Sequence, residues 1–89
     1  MYRDNILIDM NKDKEIALSQ LKKGNSGVVR RLITTDGKNL QKLLAMGILP
    51  GRIIHVIRTS PVFILQIDNT QAAMDKELAQ NIILTINSH

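Results

Sequence analysis

The chain has 89 residues, of which 44% are hydrophobic and none is cysteine. It can therefore form one small domain with an apolar core, but no disulfide, thiolate metal site or cysteine nucleophile. The net charge of +4 favours anionic partners, although the basic residues are scattered along the chain. No apolar run is long enough to cross a bilayer and the charged N-terminus does not resemble a signal peptide, so we expect a cytoplasmic protein.

The N-terminal part of the chain is predicted to be an extension, residues 1–14. Its apolar residues could form an extra strand: Ile6, Leu7, Ile8 and Met10. The following IALSQL, residues 16–21, has the spacing of one amphipathic helical turn. After a turn at residues 24–27, residues 28–34 predict a strand that needs a β-bulge to keep one face buried, because its alternation is imperfect.

A helix is predicted at about residues 38–46, after a turn at Thr35-Asp36-Gly37 that can cap it. Its apolar residues recur at helical spacing and are predicted to face the core: Leu40, Leu43 and Leu44. Gly47 follows where a helix favours a residue in the left-handed conformation, and Ile48 would then pack back against Leu43. Both residues are therefore interpreted as structural.

Pro50 and Gly51 predict a type II turn that begins the next strand. Two strands and a short helical turn follow, and a last strand ends the chain: residues 52–58, 62–68, 72–80 (the helical turn) and 82–86. The pattern predicts a mainly β protein with short helices, built as a small SH3-like β-barrel with one helix. Full or near closure of the sheet would limit exposed strand edges.

Alternation along the predicted strands divides their residues between two faces. One set is predicted to point into the barrel: Ile54, Val56, Phe63, Leu65, Ile67, Ile82 and Leu84. The opposite face is unusually apolar for a solvated one, with Ile53, His55, Ile57, Ile64 and Ile83. A surface for a protein partner or a second copy of the chain is predicted there, at Ile53, His55, Ile57, Val62 and Ile64. The alternative is that the N-terminal strand covers this face through Ile6 and Ile8.

Neither a catalytic site nor a metal site is predicted, so the chain is not expected to be an enzyme. His55 lies mid-strand with no nucleophile or orienting carboxylate indicated. The candidate metal donors do not share a ligand-like spacing: His55, Asp68, Asp75, Glu77 and His89. Nucleic-acid binding is a weaker alternative, because Tyr2 and Phe63 are the only aromatic residues available for base stacking.

The order of motifs resembles the FeoA family of small cytoplasmic components of bacterial ferrous iron transport. The motifs are ALSQLKKG, a Gly-Val-Val strand, LQKLLAMGILPG, a strand of the form xIxVIR and AMDKELAQNIIL. The resemblance covers roughly residues 16–86, and the domain is predicted to span residues 15–87. Two departures are a shortened loop near Pro61 and Asn69 at a turn where a glycine, free to take positive φ, is usual.

The resemblance implies a role in ferrous iron uptake and an association with iron(II), a transition metal ion. It also implies a FeoB-like membrane GTPase as partner, with the protein peripheral to the membrane at most. The same SH3-like module forms the C-terminal domain of metal-dependent repressors, so a peptide-binding or regulatory module is the alternative function.

Overall fold

The computed structural model describes residues 13–87. The predicted N-terminal strand and His89 lie outside these residues. Within them, six strands form one antiparallel sheet in the order β1-β6-β2-β3-β4-β5. The strands are β1 Asp13–Ala17, β2 Ser26–Leu32, β3 Ile53–Arg58, β4 Phe63–Ile67, β5 Thr70–Met74 and β6 Ile82–Asn87. The helical segments are a 3-10 turn at Leu18–Gln20, α1 at Gly37–Ala45 and α2 at Lys76–Ala79.

The predicted mainly β architecture with short helices is confirmed, and the sheet formed by the described residues is not fully closed. Strands β1 and β5 are the two ends of the sheet and do not pair with each other in the described part of the chain. The inward residues are those predicted from alternation, and each of them is at most 4% exposed: Ile54, Val56, Phe63, Leu65, Ile67, Ile82 and Leu84.

The helical turn predicted at residues 16–21 is wrong in its first half. Ile16 and Ala17 belong to β1, where Ile16 pairs with Leu84 of β6. The helical part is reduced to the 3-10 turn, and it is Leu18 and Leu21 that are buried. Cross-strand pairing of a β-branched residue has outweighed a short helical spacing.

The helical turn predicted at residues 72–80 is also too long. Its first part, through Met74, is the edge strand β5, which pairs along its whole length with β4. The helix is limited to α2, whose N-cap Asp75 accepts a hydrogen bond from the Leu78 backbone N–H at 2.8 Å. The helix propensity of the alanines was overridden by the hydrogen bonds of the hairpin.

The two ends of α1 are as predicted. Asp36 caps the N-terminus by accepting a hydrogen bond from the Lys38 N–H at 2.9 Å. At the other end Gly47 has a φ of +86°, and its N–H donates to the Leu44 carbonyl at 3.0 Å. The Ile48 N–H donates to the Leu43 carbonyl at 3.0 Å, which completes a Schellman motif.

The predicted core face of α1 needs a correction. Leu43 and Ile48 are fully buried, but Leu40 is 37% and Leu44 42% exposed. Leu40 lies three residues before Leu43 and Leu44 directly follows it, so both lie to the side of the buried line of the helix.

The turn at Pro50 and Gly51 joins α1 to the sheet. Gly51 has a φ of +93°, and the Arg52 N–H donates to the Leu49 carbonyl at 3.0 Å, as a type II turn requires. The Gly51 N–H also donates to the Val29 carbonyl at 2.8 Å, and the Val29 N–H donates to the Arg52 carbonyl at 2.8 Å. The turn is thereby fixed against β2.

Two irregularities change which side chains face outward. The predicted bulge of β2 lies between Val29 and Arg31, and a second bulge in β3 lies between Val56 and Arg58. The turn between β4 and β5 has its positive φ at Asp68, with a value of 54°, and not at Asn69. Asp can take this conformation because its short polar side chain can bond locally.

Candidate interaction surface

The outer face of the sheet carries the predicted partner residues. Ile53 is 52%, Ile57 37% and Val62 36% exposed. His55 is also exposed, and Ile64 is half-buried. The apolar side chains on this face are therefore accessible to another surface, while their role in binding a partner remains a prediction.

A polar row divides this face into two apolar groups. His55 lies opposite Ser26 on β2 and Gln66 on β4, and Gln66 lies opposite Gln71 on β5. Ile53 and Ile57 are four positions apart on β3, a distance of about 13 Å along an extended strand. The structure therefore does not join the five predicted residues into one continuous apolar patch.

The first group is the Ile53 patch, formed by Val28 and Ile53. The two residues lie directly opposite each other on β2 and β3, and Val28 is 40% exposed. Directly opposed residues of neighbouring antiparallel strands point to the same face and are close enough to touch. The second is the hairpin-end group, formed by Ile57, Val62 and Ile64 at the end of the β3–β4 hairpin.

Val28 was missed by the sequence reasoning. The run Val28-Val29 does not show which valine faces the core, because the bulge directly after it interrupts the alternation. The deciding fact is the register, which places Val29 opposite the buried Leu84 and Val28 opposite Thr85. The partner strand carried a usable signal, because Ile53 was predicted to point outward and a residue directly opposite it points to the same face.

An open groove lies beside the Ile53 patch. It has a volume of about 490 Å³ and runs between the starts of β2 and β3 and the end of β6. We call it the β2–β6 groove, and its lining residues are Leu21, Asn25, Ser26, Gly27, Val28, Ile53, Thr85 and Ile86. A second depression of about 530 Å³ shares Val28, Thr85 and Ile86 with it. Of the predicted partner residues, Ile53 lies in this groove and the others do not.

Exposed ion pairs involve some of the charged side chains near the sheet. Arg31 of β2 contacts Glu15 of β1 at 2.8 Å, across the intervening strand β6. Arg52 contacts Asp68 at 2.6 Å. Pairs as exposed as these contribute little to stability, but they offset charge at two borders of the outer face and leave the Ile53 patch between them apolar.

The candidate metal donors do not converge within residues 13–87. No group of three or more His, Cys, Asp or Glu side chains that could hold a metal ion occurs there. Asp68 is paired with Arg52, and Asp75 caps α2. The same part of the chain contains no helix that is both long and apolar enough to cross a membrane.

Comparison with known proteins relates the chain to iron-uptake proteins. The model of the FeoA domain family matches residues 16–86, whereas no curated protein gives a significant match. The chain is similar to an iron uptake regulatory protein, FeoA, of known crystal structure. The two share 27% identity and a TM-score of 0.73, over 82% of this chain and 99% of that one.

Two more distant structures share the fold. One is Stenotrophomonas maltophilia FeoA, an SH3 domain protein complexed with zinc, with 18% identity, a TM-score of 0.68 and coverage of 83% of this chain and 99% of that one. The other is T. acidophilum IdeR, with 16% identity, a TM-score of 0.77 and coverage of 82% and 34%. The chain thus spans about a third of IdeR, and the predicted SH3-like fold is confirmed.

Proposed function

The chain belongs to the FeoA family, and on this premise we propose that it is a non-enzymatic cytoplasmic accessory protein of bacterial ferrous iron uptake. It acts by binding a FeoB-type membrane GTPase transporter. In this proposal iron(II) is the cargo of the transporter, and the accessory protein contributes a protein-binding surface. The family match over residues 16–86 supports the link to iron transport.

The observation that carries the proposal is the Ile53 patch. Ile53 and Val28 are 52% and 40% exposed, and they lie side by side beside an open groove. Adjacent exposed apolar side chains on a small protein are typical of a surface that binds a partner. The paired arginines and carboxylates at its borders fit the polar rim that surrounds such a contact.

A binding assay with the transporter tests the proposal. We expect the unmodified chain to capture a FeoB-type transporter in detergent. Ile53→Lys should weaken the complex about tenfold or more, because a tenfold loss needs only about 1.4 kcal/mol and burying an unpaired charge costs more than that. Ile57→Lys tests in the same way whether the hairpin-end group contacts the transporter.

Leu44→Lys is the matched control for this assay. Leu44 is 42% exposed, so lysine again replaces an exposed branched aliphatic side chain, but it lies on α1 and not on the outer face of the sheet. We expect Leu44→Lys to bind like the unmodified chain. Absence of a complex with the unmodified chain would remove the accessory role, and a loss seen with Leu44→Lys alone would move the contact to α1.

A further inference from the structure

The β2–β6 groove lies at the end of the sheet where the described chain begins. Asp13, the first residue of β1, pairs with Asn87. The next two residues of β1, Lys14 and Glu15, pair with Ile86 and Thr85, and both of these β6 residues line the groove. The segment that precedes β1 therefore joins the domain within one or two residues of the groove.

The preceding segment is long enough to reach the whole groove. Strand β2 is two strand spacings from β1, and β3 is three, so Ile53 lies about 14 Å across the sheet from β1. An extended chain covers about 3.3 Å per residue. Ile8 is therefore about 17 Å and Ile6 about 23 Å of chain away from Asp13, which is sufficient even with a turn.

The chemistry of the segment matches that of the groove. The segment carries the apolar run Ile6-Leu7-Ile8 between Asp4 and Asp9. The groove offers apolar side chains, among them the exposed Val28 and Ile53. Lys22 and Lys23 lie exposed between two of its lining residues, Leu21 and Asn25, and could attract the acidic residues that flank the run.

We propose that residues 6–10 of this chain bind in its own β2–β6 groove. A segment tethered this closely has an effective concentration in the millimolar range, so a modest apolar contact is enough to keep the groove occupied. A second copy of the chain or another protein has no such advantage at ordinary concentrations. The extension is then an internal ligand for the exposed Ile53 patch.

If the extension occupies the groove, it should compete with the transporter for the same surface. This consequence rests on the proposed function. Ile53 belongs both to the groove and to the surface proposed for the transporter. Deletion of residues 1–10 should therefore strengthen binding to the transporter several-fold. The experiment below uses no transporter, so it can fail or succeed independently of the accessory role.

The test is paramagnetic labelling of the full chain. Because the chain has no cysteine, Asn5→Cys provides one attachment site for a nitroxide. We expect the label to broaden the backbone amide signals of Val28, Ile53 and Thr85 more strongly than those of β5, which lies two strands beyond Ile53. In the labelled chain that also carries Ile6→Ser and Ile8→Ser, the broadening at the groove should fall sharply, and the excess over β5 should be lost.

A mixed sample separates this arrangement from self-association. Nitroxide-labelled chain without isotopes is mixed with isotope-labelled chain without nitroxide, and the expected result is no broadening. Broadening that occurs in the mixed sample would show that a second copy occupies the groove and would overturn the proposal. Sharp groove signals in the singly labelled full chain would overturn it as well.

Discussion

Gly47 has a φ of +86°, and nothing lies within 4 Å of the place where a Cβ would stand. The requirement for glycine is therefore one of backbone conformation and not of space. We expect Gly47→Ala to lower the free energy of unfolding by about 1–2 kcal/mol, because the left-handed conformation costs an L-residue this much. Urea denaturation followed by circular dichroism would measure the change.

Gly37 is the matched control for this substitution. It is the first residue of α1, and the space around its Cβ position is equally open, but its φ is not positive. Gly37→Ala should leave stability unchanged or raise it by up to about 1 kcal/mol. If the two variants unfold at the same urea concentration, the helix end does not depend on the conformation of Gly47.

The ends of α1 could be read from the sequence because they are local. The cap at Asp36 and the Schellman motif at Gly47 and Ile48 involve residues only a few positions apart, and each needs a particular residue type. The exposure of Leu40 and Leu44 could not be read in the same way. It depends on how the helix is rotated against the sheet, which is set by contacts distant in sequence.

The contribution of a helix or strand to stability depends on which of its residues reach the core. In α1, two adjacent leucines allow a direct comparison of a buried with an exposed side chain. Leu43 is fully buried, whereas its neighbour Leu44 is 42% exposed. We expect Leu43→Ala to cost about 2–5 kcal/mol, through lost apolar contact and the cavity left behind. Leu44→Ala should cost less than about 1 kcal/mol, since alanine keeps the helix propensity and little contact is removed.

Thermal unfolding of the two alanine variants would make this comparison. Both remove the same side chain from the same helix, so a difference between them reports burial and not helix propensity. Equal destabilisation would show that Leu44 is packed as deeply as Leu43. That outcome would support the core face predicted from the sequence, in which Leu44 points inward together with Leu43.

Strand boundaries were harder to predict than strand faces. The alternation of residues 53–58 and 63–67 correctly separated inward from outward side chains, because a period of two is a strong signal over a regular strand. Residues 13–17 and 70–74 carry weaker patterns, and they form strands because β6 and β4 provide partners for them. Pairing between segments distant in the chain cannot be predicted from the local sequence of either segment.

At the scale of the whole molecule, the order of the strands determines which residues lie side by side on the outer face. Strand β6, from the C-terminal part, lies between β1 and β2 and so brings Thr85 and Ile86 beside Val28. The sequence predicted an apolar outer face but not the groove, since its lining residues come from three separate parts of the chain. The division of the face by the row through His55 likewise follows from register alone.

The same strand order predicts where the domain begins. Strand β1 covers the edge of β6 through five register pairs, and its Ile16 packs against the core. A chain that starts at Asp13 keeps these contacts and loses only the tethered segment proposed for the groove, so it should unfold within about 1 kcal/mol of the full chain. A chain that starts at Leu18 should lose about 2 kcal/mol or more, since it gives up the burial of Ile16 and exposes the paired edge of β6.

Chemical denaturation and size-exclusion chromatography of the two shortened chains would test this boundary. The chain from Asp13 is the control for the removal of residues as such, and we expect it to remain monodisperse if the full chain is. The chain from Leu18 should also associate more strongly, because an unprotected strand edge is a template for pairing with another chain. If it unfolds and elutes like the chain from Asp13, β1 is not part of the folding unit, and the domain begins after it.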